Sequence, residues 1–176
     1  MAEETTAENA APAEKTIFYK DVYEQAIVVN GQYIKDLSFE APAAPGIFTI
    51  MQQTSPDMQI TVNVETNEFE DGIYEVVLDL SARCTVGDDV GFILELEYAG
   101  LFTINVDDDV KSAVLMIECP RLIFPFARNI LAEVSRDGGF PPVMLGPIDF
   151  SQLYQTELKN RGSAEGDLQG TANSDG

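Results

Sequence analysis

Residues 118–150, ECPRLIFPFARNILAEVSRDGGFPPVMLGPIDF, constrain the fold more than any other part of this chain. From Phe124 onward Ala127, Ile130, Leu131 and Val134 recur at three- and four-residue steps, so one helix face is apolar while Arg128, Glu133 and Arg136 lie elsewhere. Pro125 then belongs to the first turn, where its missing N–H costs nothing. Gly138 stands where a left-handed residue ends a helix, and Pro141 and Pro142 forbid its resumption. Between Phe140 and Pro147 the chain is an apolar loop bounded by prolines.

Upstream, the pattern changes to alternation. Tyr33 to Glu40 reads as a strand with Ile34, Asp36, Ser38 and Glu40 on one face and Tyr33, Lys35, Leu37 and Phe39 on the other, with Gly31 as a bulge or break. Pro42 and Pro45 make the following segment a crossover loop. Its far side carries Ile47, Phe48, Ile50 and Met51, which either tuck under the sheet or line an open groove. A second strand alternates Met58, Ile60, Val62 and Val64 with polar residues, and Asp71-Gly72 forms a turn. The third strand puts Tyr74, Val76, Leu78, Leu80 and Ala82 on one face, with Glu75, Val77, Asp79, Ser81 and Arg83 opposite. The hairpin connection spans Thr85 to Gly91. In the fourth strand Phe92, Leu94, Leu96 and Tyr98 oppose Ile93, Glu95 and Glu97, with a bend or bulge at Gly100. Asp107 caps a short helix that runs toward Pro120, and Asp149 caps a last helix with Phe150, Leu153, Tyr154 and Leu158 on one face. Four strands followed by helices imply an α+β fold.

Composition decides which functions are worth considering. Thirty Asp and Glu against ten Lys and Arg give a formal charge of −20, which repels nucleic acid and anionic lipid and suits a basic partner, or serves solubility alone. No apolar run is long enough to insert in a membrane, and the first residues lack signal-peptide character, so the expected location is the cytoplasm. With no histidine and two isolated cysteines, neither a metal site nor a catalytic base is expected, no cofactor is implied, and the chain is read as a non-enzyme. Cys84 and Cys119 are expected to be buried free thiols. Residues 1–20 and 162–176 read as disordered tails around a single domain over 21–161.

The run CPRLIFPFARNILAEVSRDGGFPPVMLGPIDF resembles the signature region of the protein-export chaperone SecB family. YIKDLSFEAPAAP resembles its first strand, and YEVVLDLSA with FILELEYAGLFTI its central hairpin. The acidic extension before about Val29 and the doubled Gly138-Gly139 depart from the usual pattern.

The resemblance implies a four-stranded antiparallel sheet with helices packed on one face, assembled as a homotetramer, a dimer of dimers, that binds unfolded preproteins and delivers them to the motor ATPase SecA. It further implies that Asp36, Glu40, Ile93 and Glu95 contact SecA. A client groove would be lined by Phe48, Ile50 and Met51 from the crossover loop and Phe150, Leu153 and Tyr154 from the last helix. The alternative function is a SecB-like chaperone dedicated to a single client such as an antitoxin. A different class again is a small-ligand or purely structural oligomeric domain whose apolar groove serves an internal fit.

Overall fold

The computed structural model describes residues 26–170, with side chains through Asn160; the expected tail at 1–20, and residues 171–176 of the one expected at 162–176, lie outside the described residues. Strands β1 (Ile27–Glu40), β2 (Asp57–Glu70), β3 (Ile73–Val86) and β4 (Asp89–Ile104) form one antiparallel sheet in the order β1-β4-β3-β2. β3 and β4 occupy the centre. Their alternate residues Val76, Leu78, Leu80, Ala82, Phe92, Leu94 and Leu96 are all buried, on the single face where the helices lie. The expected α+β layering is therefore present. Each connection has a local cause: Gly72 at φ +73° closes the β2–β3 turn after Asp71, and Gly87 at φ +62° closes β3 onto β4.

β1 departs from the alternation expected for it. Its pairing with β4 shifts register between Val29 and Gly31 and again between Ile34 and Asp36, so Asn30 and Lys35 are bulged. A bulge inserts one unpaired residue and resets the side-chain phase. Ile34 pairs with Tyr98 on the helix side, whereas Asp36, Ser38 and Glu40 pair with Glu97, Glu95 and Ile93 on the open side. Tyr33 and Lys35, expected opposite Asp36, share its open face through their bonds to Glu75. Gly100 was expected to bend or bulge β4, but no register shift occurs there. Its bare backbone instead admits the helix layer: a Cβ at Gly100 would lie 2.9 Å from Ile123.

The helical layer is more continuous than its prolines suggest. Helix α2 (Asp108–Ala113) passes through a π-helical turn (Val114–Glu118) into α3 (Cys119–Asp137). Pro120, in the first turn of α3, would crowd the carbonyl of Met116 in a regular helix, and widening that turn relieves the clash. Pro125 thus lies inside α3 and not in its first turn. It and Arg121, whose carbonyl it leaves without its usual donor, are both exposed to water. Asp107 stands at the cap position of α2 in extended conformation, yet its carboxylate makes no capping bond.

At the other end of α3 the left-handed residue is Gly139 (φ +88°), not Gly138 (φ −70°). Gly139 N–H donates to Arg136 and Phe140 N–H to Ser135, the bond pattern that closes a helix through a left-handed glycine. Gly138 has a different task. A Cβ there would stand 2.2 Å from Cζ of Phe39, a ring stacked on Phe92 at 5.4 Å that also meets Phe140 at 6.4 Å. The loop after α3 is fastened by the buried Ser135, whose hydroxyl donates to the Leu131 carbonyl and accepts from Val143 N–H at 2.9 Å.

Helix α4 (Phe150–Gly170) starts where expected, with Asp149 Oδ1 accepting from Gln152 N–H at 3.0 Å. It continues past Gly162, where a structureless tail was expected: no proline interrupts it, and Gly162 and Gly166 each weaken a helix by only about 1 kcal/mol. In the crossover, Ile47–Ile50 is a single helical turn, α1. Ile47 is fully buried while Phe48 and Ile50 stay exposed, so the segment is partly core and partly surface. Both cysteines are buried and free, and burial, with the nearby Glu118 carboxylate, pushes the Cys119 thiol up to about 12.

Candidate functional site

The open face of the sheet is where register turns scattered acids into a surface. Adjacent strands place their outward residues in rows. One row reads Asp36, Glu97, Asp79 and Asn63 across β1, β4, β3 and β2; the next reads Ser38, Glu95, Ser81 and Thr61; the third reads Glu40, Ile93, Arg83 and Gln59. Asp36, Glu40, Ile93 and Glu95 thus occupy three consecutive rows on two hydrogen-bonded strands. Asp36, Glu40 and Glu95 are exposed and Ile93 is half-buried. Ser38, between Asp36 and Glu40, donates to Glu95 at 3.4 Å.

Glu97 and Asp79 belong to the same surface and were not singled out from sequence. Alternation marks both as outward, but only strand order and register set them beside Asp36. Three like charges across neighbouring strands cost stability, relieved in part by Asn63, 3.4 Å from Asp79, and by the longer-range charge of Lys35 on Glu97.

A second cluster flanks this surface. Glu75 on β3 accepts from Lys35 Nζ at 2.8 Å, from the Tyr33 hydroxyl and from Asn67 at 3.5 Å. The bonds from Lys35 and Tyr33 hold its carboxyl below the usual range, burial opposing them. The Glu75 bond, with burial, pushes the Tyr33 phenol up to about 12.

The apolar candidates separate. Leu153 and Tyr154 line a groove of about 640 Å³ between β2 and α4, together with Val62, Val64 and Met116. Tyr154 is held there by a 3.0 Å bond to Ser112. Phe48, Ile50 and Met51 are not part of that groove: Phe48 packs on Phe140 at 5.2 Å, beyond the C-terminal end of α3. Phe150 is core, 1% exposed and edge-on to Phe124 at 5.7 Å. As the first residue after the cap its side chain turns down onto α3, which removes it from any open groove. Met116, on the π-helical turn, gave no periodic signal because that turn interrupts the 3.6-residue repeat.

Among the described residues no group of three His, Cys, Asp or Glu side chains is arranged to hold a metal ion, and no helix is long and apolar enough to cross a membrane.

The family model for the preprotein translocase subunit SecB matches residues 20–161. The protein-export protein SecB of Paramagnetospirillum magneticum is 49% identical over 138 residues, covering 78% of this chain and 89% of that protein. The protein-export protein SecB of Hyphomonas neptunium is 49% identical over 134 residues, covering 74% and 78%. Among solved structures, the Mycobacterium tuberculosis SecB-like chaperone in complex with an antitoxin peptide shares the fold at TM-score 0.59 and 11% identity, over 70% of this chain and 91% of that one. Signature stretch, sheet order and the match across nearly the whole domain agree: the chain belongs to the SecB family of protein-export chaperones.

Proposed function

We propose that this chain is a cytoplasmic export chaperone, a homotetramer that holds unfolded preproteins through apolar surface on its helix side and transfers them to SecA through the acidic sheet face. The observation that carries the reading is the 49% identity to export proteins over 138 residues, joined to an open face whose rows concentrate acids around Asp36, Glu40, Ile93 and Glu95. Acids arrayed this way accelerate encounter with a basic partner and select for it, and salt weakens the contact. On the helix side, Leu153 and Tyr154 in the β2–α4 groove, with the exposed Phe48 and Ile50 and the half-buried Met51, would bury client side chains at roughly 25 cal/mol per Å². Phe150 is left out because it is core.

A chaperone dedicated to an antitoxin has less support. The neighbour solved with an antitoxin peptide is 11% identical and shares a fold, whereas the export proteins share nearly half the sequence.

The test is calorimetric titration with a slow-folding export precursor, once unfolded and once native, then with SecA at two salt concentrations. Only the unfolded precursor should bind, Leu153→Ala should weaken it, and SecA binding should fall with salt and in D36K/E40K. SecA affinity unchanged in that charge-reversed variant, with the fold intact, would remove the acidic face from the reading.

A further inference from the structure

We propose that Glu75 is a positioning residue for the acidic face: it holds Lys35 away from Asp36, Glu97 and Asp79, and so keeps those carboxylates available to a basic ligand. The inference rests on the reading of that face as the SecA contact.

The bulge in β1 creates the problem that Glu75 solves. Strict alternation would send Lys35 to the helix side, but the register shift between Ile34 and Asp36 leaves Lys35 and Asp36, neighbours in sequence, on the same open face. An ammonium on a flexible four-carbon stem beside a row of carboxylates would settle on one of them and neutralise it. Among the described residues, no ion pair involves Asp36, Asp79, Glu95 or Glu97; Lys35 pairs with Glu75.

Glu75 wins because it is built in from three strands. It lies on β3, two strands from Lys35, and takes bonds from Tyr33 and Lys35 of β1 and from Asn67 of β2. Its side chain is only 15% exposed, whereas Asp36 and Glu95 are open to water; Asp79 and Glu97 are half-buried like Glu75, and what sets Glu75 apart from them is its three donors. To reach it, Tyr33 must cross β4, and the residue paired with Tyr33 there is Ala99. Ala99 and its own partner Val77 are 0% and 3% exposed although both belong to the open side. That burial is what a ring laid across β4 produces. The clasp is therefore formed before any ligand arrives.

The test is a double-mutant cycle on the full chain: Glu75→Gln, Lys35→Gln and both together, read as affinity for a fluorescent oligolysine peptide and for SecA at low salt. Asp71→Asn, which removes one negative charge in the β2–β3 turn, controls for net charge. E75Q should weaken both ligands about three- to tenfold, D71N less than about twofold, and E75Q/K35Q should return to within about twofold of the parent. Equal losses in E75Q and D71N, or strict additivity in the cycle, would overturn the proposal. Carbon NMR of the Tyr33 phenol reports the clasp without any ligand and independently of how well E75Q folds. A raised pKa in the parent is required, and an ordinary one sinks the idea. If the oligolysine cycle shows coupling while SecA ignores D36K/E40K, the SecA reading fails and the role of Glu75 toward basic ligands stands.

Discussion

Gly138→Ala isolates one steric fact. Gly138 has φ −70°, a conformation alanine adopts freely, and as a helix former alanine is favoured over glycine by up to about 1 kcal/mol. A reading from local propensity therefore predicts a neutral or stabilising change. The packing predicts the reverse. The new Cβ would lie 2.2 Å from Cζ and 2.6 Å from Cε1 of Phe39, where carbon atoms rest at roughly 3.5–4.0 Å, so the ring must retreat by more than 1 Å at its tip. It has nowhere to go without disturbing the stack on Phe92 and the contact with Phe140. Overpacking of this kind costs about 1–3 kcal/mol, and the net after the propensity gain should be a loss of about 0.5–2 kcal/mol. Urea unfolding followed by circular dichroism measures it, with Gly46→Ala as control, since a Cβ there meets only the Ala43 carbonyl oxygen at 3.6 Å. Phe39→Leu in the G138A background should recover part of the loss, making the pair less than additive. A G138A chain as stable as its parent would refute the claim that this glycine exists to admit Phe39.

Ser135→Ala should cost about 1–3 kcal/mol in the same assay, because Val143 N–H loses a buried acceptor; a change below about 0.5 kcal/mol would mean that this bond does not fasten the loop. Tyr33 makes stability depend on pH in the alkaline range. Its folded pKa of about 12 lies above the ordinary 10.0, so its contribution is complete below pH 10 and is lost as pH rises toward 12. Tyr33→Phe should flatten the stability profile between those limits, and an unchanged alkaline slope would contradict the bond to Glu75.

The sequence reading succeeded where one face of an element had to be apolar. Leu78 to Ala82 on β3 and Phe92 to Tyr98 on β4 alternate because the helices cover one side of both, and Asp149 was legible as a cap because its role involves only its immediate neighbours. It failed where a distant residue decides. The bulge at Lys35 has no local signature: KDLSFE alternates whichever way it is started, and only pairing with Glu97 shows that the phase slipped. The two glycines at the end of α3 look interchangeable in sequence, yet one supplies a positive φ and the other clears space for a ring from β1. Pro125 reads as a helix start because first turns tolerate proline, while the actual start uses Pro120 and a widened turn before it. For the candidate site, outward direction was legible at Asp36, Glu40, Ile93 and Glu95. Which outward residues become neighbours, Glu97 and Asp79 among them, required strand order. The groove was least legible, since Phe150 and Leu153 carry the same periodic signal and differ only in what α3 covers.

The acidic rows also say how the chain divides its stability. Directly opposed like charges each weaken a sheet by roughly 0.2–1 kcal/mol, and Asp36 with Glu97 and Glu97 with Asp79 make two such contacts. Pairing Lys35 with the row would remove much of that repulsion. The fold instead commits Lys35 to Glu75 on the same face and leaves the row charged. It can sustain this because the opposite faces of β3 and β4 are core: Leu78, Leu80, Leu94 and Leu96 are each at most 1% exposed, and burying one such side chain contributes about 1.5–3 kcal/mol. β3 and β4 are held from the helix side strongly enough that their other face is free to carry charge. The repulsion that pairing Lys35 with the row would have relieved is therefore carried by the buried face of the same sheet.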